Sequence, residues 1–388
     1  MEYHRGMIVC RVPGCAEVSC IRMSGTGSVA PLARTLADLT SEGQLYLRLP
    51  EDAVRCYACG HNCFIPNGKP GICKVRFNAG GRLRVPWGYV GALQCDPIEK
   101  KPFFHALPGS QALSFGMLGC DYHCGYCQNW LTSQAIRDPR AVSVPERMTE
   151  EDIVDIALRH QAPIITSTYN EPLITSEWAV SIFRAARRQG LIGAYVSNGN
   201  GTEEVIDFIR PYVKLFKVDL KSFRDRTYRS LGGTLHRVLD TISLLHRKGL
   251  WVEIVTLIVP GFNDSSEEVR DMARFIAKVS PDIPWHVTAF HKDYRMTEPG
   301  DTTADLLIRS AAIGREEGLH FVYAGNLPGR VGGLENTRCP SCDMTLIARC
   351  GYRILADRIS PRGTCPGCDT SIPGLWHGGA FHLTASPQ

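Results

Sequence analysis

The stretch Phe115-Gly116-Met117-Leu118-Gly119-Cys120-Asp121-Tyr122-His123-Cys124-Gly125-Tyr126-Cys127 decides how this chain is read. A short apolar run at 112–115 ends at its first residue. Three cysteines spaced Cys-x3-Cys-x2-Cys therefore fall on the loop that leaves a strand. Thiols two and three residues apart converge on one metal far more readily than they reach distant disulfide partners. The C-terminal end of a strand is also where α/β folds carry their chemistry. Cys120, Cys124 and Cys127 are the first candidate ligand set.

Outward from this loop the chain alternates strand and helix signals. Further apolar runs lie at 164–168, 194–197, 215–220, 252–259, 286–290 and 321–324, separated by helical patterns with punctuation at their ends. Thr149 ahead of Glu150, Glu151 and Asp152 predicts an N-cap, Ser265-x-x-Glu268 fits a capping box, and Gly190 and Gly249 mark C-terminal stops. Six or seven β–α repeats across residues 111–330 predict a parallel sheet of the α/β class. A doubly wound sheet and a partial barrel both fit this periodicity.

The flanks differ in character. Residues 1–50 read as an N-terminal extension, partly disordered, with a loop at Ser24-Gly25-Thr26-Gly27-Ser28, a weak helix at 32–39, and Cys10, Cys15 and Cys20 without an assigned role. Residues 51–110 read as a Cys-rich module. Residues 331–388 read as a second one, with little room for a core and the composition of a metal-stapled unit. There are 16 cysteines, clustered as close pairs, and residues 1–28 contain no apolar leader. This pattern predicts reduced ligands in a cytosolic protein instead of a secreted disulfide framework. No run approaches the ~20 apolar residues that span a bilayer. A formal net charge of +4 is too small to indicate a nucleic-acid groove. With 44% hydrophobic and 21% charged residues, the chain can bury a sizeable core.

Three thiolates leave one iron of a four-iron cubane open. An open iron takes a chelating ligand, and the amino and carboxylate groups of S-adenosylmethionine (SAM) provide one. An electron from the cluster can then break a C–S bond and release a 5′-deoxyadenosyl radical. On spacing alone, a three-cysteine zinc site completed by His123 or a distant residue is the alternative.

The triplet, with Tyr126 just before Cys127, resembles the signature of the radical SAM superfamily. That resemblance implies a partial (β/α)6 TIM-type barrel as the core of residues 111–330, flanked by the two small Cys-rich metal-binding modules. Further motifs are similar to the glycyl-radical branch, the pyruvate formate-lyase activating enzymes. The resemblance implies that Glu171, in Tyr169-Asn170-Glu171-Pro172, receives the SAM amino group with Asn170 beside it. It implies that Ser197 and Asn198 touch the ribose, and that Lys221, in Asp219-Leu220-Lys221, reaches the SAM carboxylate. Val259-Pro260-Gly261 would lie near the adenine and His291 near the carboxylate. Read without the family, Asn198-Gly199 and Pro260-Gly261 are ordinary turn chemistry, Asp219 and Lys221 a surface ion pair, and His291 a satisfied loop histidine.

The full set of motifs narrows the resemblance. Cys56-x2-Cys59-Gly60-His61-x-Cys63, Gly71-Ile72-Cys73-x-Val75-Arg76-x-Asn78, Asp96-Pro97-Ile98-Glu99-Lys100-Lys101-Pro102, Cys127-Gln128-Asn129-Trp130 and the terminal knuckles are similar to the radical SAM enzymes of the AmmeMemoRadiSam system, over roughly residues 45–378. This implies a protein or peptide substrate, a flavodoxin- or ferredoxin-type reductant, and the two partner proteins of that system. A small-molecule substrate is the runner-up. A zinc-ribbon module that binds RNA or protein on a degenerate core is the reading from another class.

Two more metal sites are expected. Cys56, Cys59, Cys63 and Cys73 supply four thiolates within eighteen residues, which suits zinc or an auxiliary [4Fe–4S] cluster with no open iron; zinc is the expectation. Cys339-x2-Cys342 and Cys365-x2-Cys368 predict a zinc ribbon, and Cys95 and Cys350 read as core. The prolines at 97 and 102 exclude a regular helix or central strand, and that segment can present Glu99 or Lys100 over the cluster.

Overall fold

The computed structural model describes residues 29–377 and the short strand Phe381–His382, so Cys10, Cys15, Cys20 and the Ser24–Ser28 loop lie outside the described residues. Its centre is an eight-stranded sheet of β1 (Ala92–Pro97), β2 (Gln111–Gly116), β3 (Ile164–Ser167), β4 (Ile192–Ser197), β5 (Val213–Asp219), β6 (Trp251–Ile258), β7 (Trp285–Ala289) and β8 (Val322–Gly325). Every strand neighbours the one before it in sequence. β2 to β8 are parallel, and β1 runs antiparallel to β2. A doubly wound sheet reverses its strand order at a switch point, and this sheet has none. The crossovers all step one way, which curls the sheet into a partial barrel.

Alternation along the strands decides what each face meets. Phe115, Ile165, Tyr195, Phe216 and Ile254 pack into the large core that the helices cover. Their neighbours Ala112, Ile164, Ala194, Leu215 and Trp251 join an inner cluster with Ile98, Phe103, Ala106 and Leu375. Both faces of these strands are buried, so they read as continuous apolar runs.

The inner cluster plugs the N-terminal end of the barrel. Because β1 is antiparallel, its last residue, Pro97, pairs with Gln111 at the start of β2. The segment from Asp96 to Pro102 therefore leaves the sheet at the end opposite the cysteine loop, and the expectation that it presents Glu99 over the cluster is corrected. Glu99 is fully buried, accepts the Gly109 N–H at 2.9 Å and faces Arg349 at 3.8 Å. Lys100 and Lys101 bind Asp96 at 2.8 and 2.9 Å.

Local signals largely hold. Thr149 and Asp152 exchange both bonds of a capping box, and Gly190 and Gly249 take φ of 74° past their helices. Ser265 caps its helix, but the Glu268 carboxylate accepts from the Ser222 hydroxyl and the Phe223 N–H instead of returning to the cap. It anchors the loop after β5.

The flanking boundaries shift. Thr40–Glu42 pairs with Arg82–Pro86, and Tyr46–Arg48 pairs with Val54–Cys56, so residues 40–48 are built into the Cys-rich module. Ala92–Pro97, read as part of that module, is an edge strand of the barrel sheet. Cys95 on that edge is only partly buried. Cys350 is exposed, because alternation along Thr345–Cys350 turns Arg349 inward and leaves Cys350 at the hairpin tip.

Candidate active site

In a parallel sheet all the C-terminal loops gather on one rim. The loop after β2 brings the three cysteines there. Gly119 turns the chain at φ 92°, and a Cβ at this position would lie 2.7 Å from the Val75 side chain and 3.2 Å from the Cys73 carbonyl. Only glycine permits so close an approach. Downstream side chains then hold the loop by its carbonyls. Arg137 donates to the Cys120 oxygen at 2.6 Å and to the Ile72 oxygen at 2.5 Å, and Gln134 donates to the Tyr122 oxygen at 3.2 Å. Cys124 is buried and Cys120 and Cys127 are half-buried; the Cys127 sulfur lies 3.2 Å from the Ser133 hydroxyl. Burial pushes the Cys124 thiol up to about 12 and raises Cys120 and Cys127 as well. Such thiols ionise only when a cation takes the proton's place. Three soft ligands on one loop, with no fourth cysteine in it, fit three corners of a four-iron cluster.

Asp121, inside the cysteine spacing, was not singled out from the sequence. Its carboxylate is fully buried and accepts from Asn198 Nδ2 and Asn200 Nδ2, each at 2.8 Å, with His61 Nε2 at 3.9 Å. The two asparagines on either side of Gly199 are the signal from which a shared acceptor could have been inferred.

Glu171 lies on the loop after β3, where it caps the helical turn Pro172–Thr175. One carboxylate oxygen accepts from the Leu173 N–H at 3.0 Å and the Ser197 hydroxyl at 2.7 Å, and the other from the Asn198 N–H at 2.7 Å. Burial, reinforced by Asp121, raises its pKa to about 8. It clasps the ends of β3 and β4 together, so much of its acceptor capacity is used within the protein. Asn170 accepts the Met117 N–H at 3.0 Å and splints the start of the cysteine loop. Tyr169, at φ 68°, sends its hydroxyl to Gln94 at 3.3 Å and receives Lys101 Nζ at 3.1 Å.

Across the rim, Asp219 lies between Lys217 and Lys221, the latter at 3.2 Å. Burial works against its charge, but the two ammonium groups hold it down at about 2. This pair is half-buried to buried, not the surface ion pair that is the bland reading of the sequence. Tyr228 fixes the Lys221 N–H at 2.9 Å and Asn263 its carbonyl at 2.8 Å, so the backbone under this lysine is rigid. Tyr126 is buried, with its ring edge-on to Phe262 at 5.7 Å on the loop after β6. His291 is exposed, 2.9 Å from Gln128. Its loop straps the cysteines: Trp130 stacks on Tyr294 at 5.2 Å, and the Arg295 N–H bonds the Gly125 carbonyl at 2.9 Å.

Eight more of the described cysteines fall into two groups. Cys339 and Cys368 lie 3.5 Å apart, Cys342 and Cys365 3.6 Å apart, and all four sulfurs lie within 4.8 Å of one another at the plugged end of the barrel. That spacing fits one tetrahedral ion. Cys56, Cys59, Cys63 and Cys73 sit in the module that abuts the cysteine loop.

The family described as "Radical SAM superfamily" matches residues 116–276. The uncharacterized protein MJ0808 of Methanocaldococcus jannaschii is 37% identical over 311 residues, covering 79% of this chain and 91% of that protein. The isethionate sulfite-lyase activating enzyme of Oleidesulfovibrio alaskensis is 28% identical over 173 residues, 42% of this chain and 55% of its own length. The pyruvate formate-lyase-activating enzyme of Clostridium pasteurianum is 23% identical over 209 residues, 49% of this chain and 84% of that enzyme.

Proposed function

The chain belongs to the radical SAM superfamily, and from that membership we propose that it cleaves SAM at a [4Fe–4S] cluster bound by Cys120, Cys124 and Cys127 and uses the resulting radical on a protein or peptide. Membership makes it a radical SAM enzyme that works with such a cluster and with SAM. When bound, the cluster supplies the electron that breaks the sulfonium C–S bond.

The observation that carries the residue assignment is the meeting of the three-thiol loop, Lys221 and the Glu171–Ser197–Asn198 clasp on one rim. Lys221 offers a fixed cation to the SAM carboxylate, with Asp219 orienting it. The Ser197–Asn198 turn offers polar groups at the ribose. The Glu171 clasp keeps that turn in place and leaves one lone pair toward the SAM amino group. Tyr126 and Phe262 wall the site near Val259-Pro260-Gly261, where the adenine is expected. The strap through His291 and Tyr294 limits access of water to a radical.

The activating enzymes among the relatives are named for lyases, which are proteins, and this supports a polypeptide substrate here. A flavodoxin- or ferredoxin-type reductant, the two partners of the AmmeMemoRadiSam system, zinc in the terminal ribbon and a cytoplasmic location complete the proposal. Among the described residues, no helix is long and apolar enough to cross a membrane.

Substrate class can be read from isotope transfer. Lysate from cells grown on deuterated amino acids is split by size, and each fraction is incubated with reduced enzyme and SAM. Deuterium should enter 5′-deoxyadenosine from the macromolecular fraction. Deuterium arriving only from the small-molecule filtrate would replace the polypeptide reading with a metabolite one.

A further inference from the structure

The loops on the rim are not all held alike. Buried side chains fix several of them. Glu171 and Asp121 clasp the turn after β4, and Glu268 anchors the loop after β5. Asn263 accepts the Val259 N–H and donates to the Leu257 and Lys221 carbonyls, each at 2.8 Å. The loop between β7 and the helix Ala304–Glu316 differs, because none of residues 291–301 is buried. Its base is nevertheless pinned. The Thr302 N–H bonds the Phe290 carbonyl at 3.0 Å, and the Thr302 hydroxyl accepts the Phe290 N–H at 3.1 Å and donates to the Ile258 carbonyl at 2.5 Å. Phe290 and Thr302 are both buried. Residues 291–301, with their ends this close, form an Ω-loop.

The tip of this loop rests on the chain that follows the cysteines. Tyr294 stacks on Trp130 and donates its hydroxyl to the Asp138 carboxylate at 2.9 Å, and Arg295 Nη2 donates to the same oxygen at 3.1 Å. Arg140 grips Asp138 from its own side at 2.7 and 3.1 Å. Asp138 is buried, but both arginines are more than half exposed. Tyr294 takes φ 52°, left-handed backbone that a bulky residue adopts only under constraint. The stack on Trp130 and the bond to Asp138 supply that constraint. Bonds so open to solvent, with little apolar area beneath them, release at small cost.

We propose that residues 291–301 form a lid, which leaves the rim to admit the substrate polypeptide and returns to shut SAM from water, with Asp138 as the latch that holds it closed. What the opening admits rests on the polypeptide reading; the motion does not. With the lid seated, the Tyr294–Trp130 stack and the bond from the Arg295 N–H to the Gly125 carbonyl cover one flank of the cysteine loop. A polypeptide, wider than a metabolite, needs that flank clear. Asp138 directly follows Arg137, which holds the Cys120 and Ile72 carbonyls, so the latch stands on a fixed part of the site.

The test is hydrogen–deuterium exchange, followed by mass spectrometry, on the full reconstituted chain with and without SAM. Residues 291–301 should exchange faster than β7 and the helix Ala304–Glu316, and SAM should slow them. Asp138→Asn keeps the shape and removes the charge. It should speed exchange in 291–301 about tenfold and leave β7 at its wild-type rate. Exchange in 291–301 as slow as in β7, and unmoved by Asp138→Asn, would make the loop a fixed wall and overturn the proposal. Fast exchange that SAM does not slow would overturn it as well, since such a loop never closes. Should Asp138→Asn fail to fold, Tyr294→Phe removes one bond of the latch from the lid side. That variant should speed exchange about threefold, and no change in it overturns the latch. Exchange that behaves as expected, in an enzyme that takes deuterium only from small molecules, would sink the polypeptide reading and leave the lid and its latch standing.

Discussion

The Asp121 carboxylate, within the cysteine spacing, accepts a hydrogen bond from Asn198 Nδ2 at 2.8 Å and so ties the loop of Cys120, Cys124 and Cys127 to the turn that leaves β4. Asn200 occupies its other oxygen at the same distance. Asp121→Ala strands both buried amides without an acceptor, a loss of about 2–4 kcal/mol. The variant should melt several degrees lower and load less iron, with Asp121→Asn intermediate. Thermal melting and iron analysis check this. Wild-type values in Asp121→Ala would remove the clasp from the account.

The Cys-rich module is locked to the barrel by one buried ion pair. Arg76 donates to both oxygens of Glu177 at 2.7 and 2.8 Å, and Glu177 also accepts the N–H groups of Gln44 and Leu45. Arg76→Met leaves a buried carboxylate unpaired and should cost about 3–5 kcal/mol. Adding Glu177→Met should recover part of that, though not all, because two backbone donors stay orphaned. Denaturant unfolding of the two single variants and the double variant gives the coupling. A single-variant loss below about 1 kcal/mol would contradict the pair's role.

At the plugged end, His105 makes stability depend on pH. Its Nδ1–H donates to the Pro373 carbonyl at 2.7 Å, so Nε2 accepts from the Tyr323 hydroxyl at 2.6 Å and the ring is neutral. Burial lowers its pKa from 6.5 to about 4. Between those values the unfolded chain binds a proton that the folded chain refuses. The contribution is fully present above pH 6.5 and falls as the pH drops toward 4, by about 3 kcal/mol in all. Urea unfolding at pH 7.5 and 4.5 should show this drop, and His105→Gln should flatten it. An unchanged slope in the variant would assign the dependence elsewhere.

Much of this was legible in the sequence, and the reasons differ from part to part. The seven parallel strands follow their apolar runs within a residue or two, because strands buried on both faces need continuous apolar sequence. Periodicity alone did not separate a partial barrel from a doubly wound sheet; the family resemblance did, and the strand order agrees with it. Strand order lives in which edges pair, and a periodicity of 2 or 3.6 carries no record of that. The cysteine loop announced itself by spacing. Asp121, Lys217 and Asn200 did not, since a single Asp, Lys or Asn looks the same whether it is solvated or buried. Glu99 was misplaced because the direction of β1 was unknown, and that direction alone decides which mouth of the barrel the segment reaches.

The terminal knuckles lie at the end of the barrel away from the rim, so their metal should be separable from the chemistry. Cys365→Ser should lose one zinc per chain and destabilise the packing of Phe104, Ile347 and Trp376, which share a core with Cys365. Its 5′-deoxyadenosine yield per iron should remain near that of wild type at low temperature. Zinc analysis and the yield together check this, and retained zinc would contradict the ligand set.

The central claim is that the three cysteines of the first loop hold the metal that cleaves SAM. Its most direct test is 5′-deoxyadenosine released per chain, after anaerobic reconstitution and chemical reduction with SAM, from wild type and Cys124→Ala side by side. The account predicts release from wild type and a loss to background in the variant, with the iron of one cluster gone. Equal release from both proteins, or none from wild type carrying its full iron, would contradict it.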